Sequence, residues 1–154
     1  EPYMIRWPGV TDGGSTCRVP VVSMDFYPTI LEIAGLEFRP EQHRDGISLV
    51  PLLKGSGSLN RDNLYWHYPH YSNQGGIPGA AIRRGAYKLI ERFEDGRVHL
   101  YNLETDIGER EDLASQMPEK VAELRERLHQ WYRDVDAKFL QPKGDGPAPW
   151  RLGD

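Results

Sequence analysis

A chain of 154 residues is long enough for one domain with a real core, or for the end of one domain followed by a smaller second one. Its formal net charge of −4, with Arg scattered among Glu and Asp, leaves no basic block for a polynucleotide, so no nucleic-acid partner is expected. No apolar run approaches the roughly 18 residues of a membrane span, so no membrane partner is expected, and the lone Cys17 excludes an intrachain disulfide and makes no zinc site by itself.

Tyr3-Met4-Ile5-Arg6-Trp7 reads as a short apolar strand suited to a sheet interior, stopped by Pro8-Gly9 and followed by a turn from Thr11 to Ser15. Phe26, Tyr27, Ile30, Leu31 and Ala34 then recur at helical spacing. Asp25 suits the N-cap, Pro28 is tolerated in the first turn, and Gly35 stands where a C-terminal cap belongs. Strand, turn and helix form the closing unit of an α/β layered domain. After Asp45-Gly46-Ile47-Ser48-Leu49 and Leu52-Leu53, the stretch Gly55-Ser56-Gly57-Ser58 marks a boundary, which predicts the end of an α/β domain over 1–55 and a smaller unit over 56–154.

Beyond the boundary the period changes to that of strands. Asn63–Tyr68, Ala80–Arg83, Tyr87–Phe93 and Val98–Tyr101 are predicted to form an antiparallel meander, with Arg84-Gly85 and Asp95-Gly96 as turns. A helix is predicted over 118–137, with Pro118 at its first position and Val121, Leu124, Leu128, Trp131 and Val135 along the face that covers the meander. Glu123, Arg125, Glu126 and Arg133 read as its solvated side. The tail from Gln141 reads as an extended strap with one anchored contact at Trp150. The expected fold class is therefore α/β (α+β), with a small four-stranded antiparallel sheet under a C-terminal helix.

The segment Leu64 to Glu91 packs aromatics, His67, His70 and the pair Gly75-Gly76 into a run that reads as the rim of a binding site. A metal reading of the two histidines is weak, because Pro69 breaks the strand spacing and no third ligand lies nearby. Imidazoles and aromatic faces suit hydrogen bonding to a polar, anionic or sugar-like substrate, and a buried structural donor is the alternative for either histidine. Asp25, Asp45 and Asp106 are each explained by a cap or a turn. No Ser-His-Asp set, phosphate-cradling loop or paired-carboxylate spacing stands out.

Six stretches run together in the order of one family. They are Glu1 to Gly9; Asp25 to Gly35; Asp45 to Leu49 with Leu52 to Gly55; Leu64 to Tyr71; Ala81 to Ile90; and Leu100 to Leu103 continuing to Leu113-Ala114. In these the chain resembles the C-terminal part of a type I, formylglycine-dependent sulfatase of the alkaline-phosphatase superfamily. The resemblance implies hydrolysis of sulfate esters, arylsulfatase-like or on sulfated carbohydrate, by a hydrated formylglycine beside a calcium ion. It implies that both cofactors belong to the full-length enzyme and that this chain binds neither. Cys17 departs from the modification motif: Cys17-Arg18-Val19-Pro20-Val21 has its Pro one place late and Val21 where the motif ends in Arg.

What the resemblance leaves to this chain is one wall of the substrate pocket, beside a partner that is the remaining N-terminal part of the sulfatase domain, with no catalytic or metal-binding residue and no activity alone. His67, Tyr68, His70 and Gln74 are the expected substrate contacts, with Arg83 and Lys88 as weaker candidates. A sulfated small molecule or carbohydrate is the expected ligand, and the family's range predicts a periplasmic, extracellular or lysosomal setting. The rivals are a phosphodiesterase or phosphonate hydrolase of the same superfamily and a non-catalytic binding module.

Overall fold

The computed structural model describes residues 2–55 and 57–153, which divide into two compact units, Glu1–Asn60 and Arg61–Asp154. Ser56, within the predicted Gly-Ser boundary, and the two terminal residues lie outside the described residues.

The first unit contains a 3-10 turn, Ser23–Asp25, leading into α1, Phe26–Ile33, and then the one-turn α2, Val50–Leu53. Helix α1 ends as its sequence predicts. Gly35 takes φ +67°, and the amides of Gly35 and Leu36 return to the carbonyls of Glu32 (3.1 Å) and Leu31 (2.9 Å), the paired bonds of a left-handed helix cap. Two expectations are corrected here. Tyr3–Trp7 forms no strand: among the described residues the only sheet lies in the second unit, and without a ladder partner the segment stays irregular, with Met4 96% exposed. The buried side of α1 is also not the predicted apolar stripe. Leu31 is buried, but its companions are Pro28 and Thr29, while Tyr27 and Ile30 face solvent.

The reason is a polar lock. Asp25 is fully buried and does not cap α1 with its side chain; its Oδ2 accepts from the Val22 amide (2.9 Å) and its Oδ1 from the Ile47 amide (3.0 Å). Thr29 Oγ1 donates to the Asp25 carbonyl (2.5 Å) and accepts from the Leu49 amide (2.8 Å). Segment 46–49 is thus tied to the start of α1 by side chains that satisfy amides otherwise left without partners. Gly46 is required for the close approach, since a Cβ there would stand 2.3 Å from the Met24 carbonyl oxygen.

The second unit is a four-stranded antiparallel meander in the order β1-β2-β3-β4, with β1 Asn63–Tyr68, β2 Gly79–Arg84, β3 Tyr87–Arg92 and β4 Val98–Asn102. Gly85, at φ +55°, opens the two-residue turn that sets the β2–β3 register at Arg84↔Tyr87. Helix α3, Pro118–Asp134, covers one face. Ala80, Ile82, Leu89, Phe93 and Leu100 pack there against Leu124, Leu128 and Tyr132, and Tyr65 stacks on Trp131 with ring centroids 4.9 Å apart.

Helix α3 stops three residues before the predicted end. Asp136 adopts φ +50°, a conformation Asp tolerates, and the Ala137 amide returns to the Tyr132 carbonyl at 2.9 Å. Val135 is therefore left exposed, and Tyr132 takes the core place predicted for it. Trp150 does anchor the tail: it is buried against Phe93, and Gly96 leaves room for it, because a Cβ there would lie 2.4 Å from the indole.

The predicted solvated side of α3 is corrected at Arg125. The fully buried Glu91 accepts from Arg125 Nε (2.7 Å), His129 Nε2 (2.9 Å) and the Tyr132 hydroxyl (3.0 Å). Burial first, and then the Glu91 carboxylate, push the Tyr132 phenol well above the ordinary tyrosine value, so it remains a donor. A carboxylate at the middle of a sheet–helix interface is stable only because its lone pairs are filled in this way.

Candidate functional site

Consecutive residues of a strand point to opposite faces, so the predicted contacts of β1 cannot all share one pocket. His67 points to the α3 face. Its ring packs among Phe93, Trp131, Tyr132 and Phe139, and Nε2 donates to the Lys138 carbonyl at 2.6 Å. Nδ1 is buried without a hydrogen-bond partner. Desolvation is the main cause holding the His67 pKa below its usual value, since a proton on Nδ1 would be a buried donor with no acceptor.

Tyr68 points the other way, to the face that α3 does not cover, and is 54% exposed. His70, just beyond the strand, meets the Tyr68 ring edge-on at 5.4 Å between centroids. Gln74 lies exposed in the β1–β2 connection, where its amide bonds Ser72 Oγ (3.1 Å) and Gly75 takes φ +86°. The structure brings Tyr68 and His70 together and separates His67 from them by the thickness of the sheet.

Arg83 and Lys88 share the open face with Tyr68 but stand at its far end. The pairs Leu64↔Arg83 and Arg83↔Lys88 place them four residues along β1 from Tyr68, or about 13 Å. Both are engaged there: Arg83 Nε bonds the Gly85 carbonyl (3.3 Å), and Lys88 Nζ lies 2.6 Å from Glu109 Oε1.

Three residues near Tyr68 were not singled out by the sequence. Tyr71 is 63% exposed, and its hydroxyl donates to Glu94 Oε1 at 2.9 Å; Arg92 Nη2 donates to Glu94 Oε2 at 2.9 Å. Arg92 sits in the same cross-strand row as Tyr68, through Tyr68↔Gly79 and Gly79↔Arg92. Strand alternation puts Arg92 opposite Glu91 in face, but only the register reveals that its neighbour is Tyr68. Asp106 accepts from the Arg110 (2.7 Å) and Glu111 (2.9 Å) amides, as a turn residue would, and those bonds hold its carboxyl below the usual range.

Residues 1–137 match the family described as N-sulphoglucosamine sulphohydrolase, C-terminal. The chain belongs to this family. It is the C-terminal portion of a sulfatase, and its sheet and helix match the C-terminal subdomain of solved sulfatases. A sulfatase of Formosa agariphila is 32% identical over 145 residues, covering 84% of this chain and 26% of that protein. A protein solved in complex with its substrate D-glucosamine-2-N,6-O-disulfate superposes with a TM-score of 0.72 at 27% identity, covering 85% of this chain and 28% of the other. Ps i-CgsB, solved with k-i-k-neocarrahexaose, superposes with a TM-score of 0.68 at 26% identity, over 83% of this chain and 28% of the other. The chain spans about a quarter of the length of the curated relatives it matches.

Among the described residues no three His, Cys, Asp or Glu side chains gather as a metal site, and no helix is long and apolar enough to cross a membrane. Cys17 is exposed and out of register with the modification motif, so it does not fit formylglycine.

Proposed function

We propose that this sulfatase C-terminal portion serves the hydrolysis of sulfate esters on carbohydrate, supplying one wall of the substrate pocket rather than the reacting atoms. The observation that carries the reading is the pairing of Tyr68 and His70 on the open side of the sheet, next to the glycine-bearing connection that holds Gln74. An aromatic face and an imidazole suit the apolar face and the polar rim of a sugar ring. Tyr68, His70 and Gln74 touch the substrate. His67, held by Lys138, positions the end of β1 from which the other two project. The sugar ligands named for two similar solved proteins support a sulfated carbohydrate, and the family match favours sulfate over phosphate esters.

In the full-length enzyme, calcium and formylglycine would be held by residues outside this portion, where they would supply the charge stabilisation and the nucleophile. The exposed apolar side chains of the first unit, Tyr3, Met4, Ile5, Ile30 and Phe38 among them, support a further layer of the sulfatase domain as the partner of that unit.

The test is sulfate release from sulfated saccharides by the protein in its full coding length. His70→Ala and Tyr68→Ala are each expected to lower kcat/KM about tenfold or more, the loss of one or two substrate contacts. Unchanged kcat/KM in both variants would reject the pocket wall, and release of phosphate but not sulfate would reject the sulfatase reading.

A further inference from the structure

The helix-covered side of the sheet carries an unbalanced cluster of charge at the end away from Tyr68. Arg84 closes β2, and Lys120, Glu123 and Arg127 follow one another along α3 at steps of three and four residues, so the β2–β3 turn and the first half of the helix meet through charged side chains. The register Asn63↔Arg84 puts this point five residues along β1 from Tyr68, about 17 Å, and on the opposite face. It stands apart from Tyr68 and His70.

Three cations share one carboxylate there. Lys120 Nζ donates to Glu123 Oε2 at 2.5 Å, and its ammonium stands 5.6 Å from the centre of the Tyr87 ring. Arg127 Nε and Arg84 Nε stand 3.5 and 3.7 Å from Glu123 Oε1, longer than a formed hydrogen bond, so each planar fork keeps donors for a second anion. Both guanidiniums also act on the Tyr65 phenol, whose pKa burial raises and Arg127 and Arg84 oppose. The hydrogen bond from Lys120 holds the Glu123 carboxyl below its usual range, so Glu123 stays a single negative charge. Neighbouring carboxylates are engaged elsewhere: Asp134 accepts from Gln130 (2.7 Å), and Glu126 pairs with Arg133 (3.3 Å). Two positive charges are thus left unbalanced among the described residues.

The cluster is also within reach of a ligand. The side chains of Lys120, Arg84 and Arg127 are 32%, 35% and 42% exposed, open to solvent yet partly desolvated, where charge pairing is stronger than in free water. The chain as a whole carries −4, which opposes loose adsorption of polyanions, so an anion here is held by local geometry. A guanidinium fork matches two oxygens of a tetrahedral oxyanion, and an ammonium adds a point charge.

We infer that Arg84, Lys120 and Arg127 form an anchoring site for a sulfate group of a polymeric glycan, remote from the sugar that loses its sulfate. This rests on the sulfatase reading above and deepens it: the substrate is a sulfated polysaccharide held at two places, and Glu123 limits the grip by competing for the same cations.

The experiment measures binding of the full-length protein to dextran sulfate, with dextran as the neutral control, beside kcat/KM on a sulfated monosaccharide and on a sulfated polysaccharide. The parent protein is expected to bind dextran sulfate and not dextran, more weakly as salt is added. Arg84→Gln combined with Arg127→Gln is expected to weaken that binding about tenfold, the worth of two exposed charge contacts. The same double variant should lower kcat/KM on the polysaccharide and leave the monosaccharide unchanged. Glu123→Gln is expected to tighten binding, a gain that a misfolded variant does not give. No binding by the parent, equal affinity in parent and variants, or an equal fall in kcat/KM on both substrates overturns the anchoring site. Should no sulfate ester be hydrolysed at all, the sulfatase reading fails by itself, and the opposite shifts of the two variants on dextran sulfate still decide the cluster.

Discussion

The two units use opposite means of holding a chain together. In Arg61–Asp154 a sheet face and a helix bury Ile82, Leu89, Phe93, Leu100, Leu124 and Leu128 in one continuous core. In Glu1–Asn60 the described elements are short, and segment 46–49 is fastened through the buried Asp25 and Thr29, while Tyr3, Met4, Ile30 and Phe38 remain exposed. The lesson is that apolar pattern does not guarantee an apolar core. A stripe is buried only where a second layer exists to receive it, and otherwise directed hydrogen bonds decide the local shape.

The largest expected effect strikes the second unit at the fully buried Glu91. Glu91→Ala leaves Arg125, His129 and Tyr132 without their acceptor and is expected to destabilise this unit by about 3 kcal/mol, toward the low end for a broken buried pair because Arg125 is part-exposed. Urea unfolding followed by tryptophan fluorescence measures it; a loss below about 1 kcal/mol would mean the apolar core alone sets the stability.

A smaller and more local effect is expected in the first unit. Gly46→Ala drives a Cβ against the Met24 carbonyl oxygen and should cost about 2 kcal/mol, the scale of an overpacked contact. Hydrogen exchange should show the Ile47 and Leu49 amides losing protection while the β2 and β3 amides keep theirs. Equal loss in both units would erase the contrast between them.

The smallest effect is a pH dependence. His67 has its pKa depressed in the folded state, so it is neutral when folded at pH values where the unfolded chain takes a proton. Its contribution is fully present above the unfolded value of about 6.5 and is lost as pH falls from there through the folded pKa. His67→Phe should reduce the drop in urea midpoint between pH 7 and pH 5 relative to the parent chain; an unchanged drop would assign the acid sensitivity to other groups.

Much of the second unit was legible because its strands are punctuated. Asn63–Tyr68 coincides with its predicted span, and the other three strands agree within about one residue, since Gly85 and the Asp95-Gly96 turn force the chain to reverse where they stand. The end of α3 was not legible, because Asp136 is not a residue that announces a left-handed turn. Tyr3–Trp7 departs from its expected strand for a related reason: an apolar run suits a buried strand, but pairing is a property of a neighbour. At the candidate site, Tyr68 and His70 were visible as an aromatic and imidazole cluster, whereas Arg92 and Glu94 looked like ordinary charges at a strand end.

By itself the sequence determined the family, the four strands, the covering helix and the anchoring of the tail by Trp150, all of which follow from residue type and short-range period. Only the tertiary structure decided that His67 and Tyr68 serve opposite faces, that Arg92 lies across a glycine from Tyr68, and that Arg125 turns inward to Glu91. The physical reason is range. Period and propensity act over a few residues, whereas Glu91 finds its partners 34 to 41 positions away, and such pairings exist only after sheet register and helix docking have brought them together.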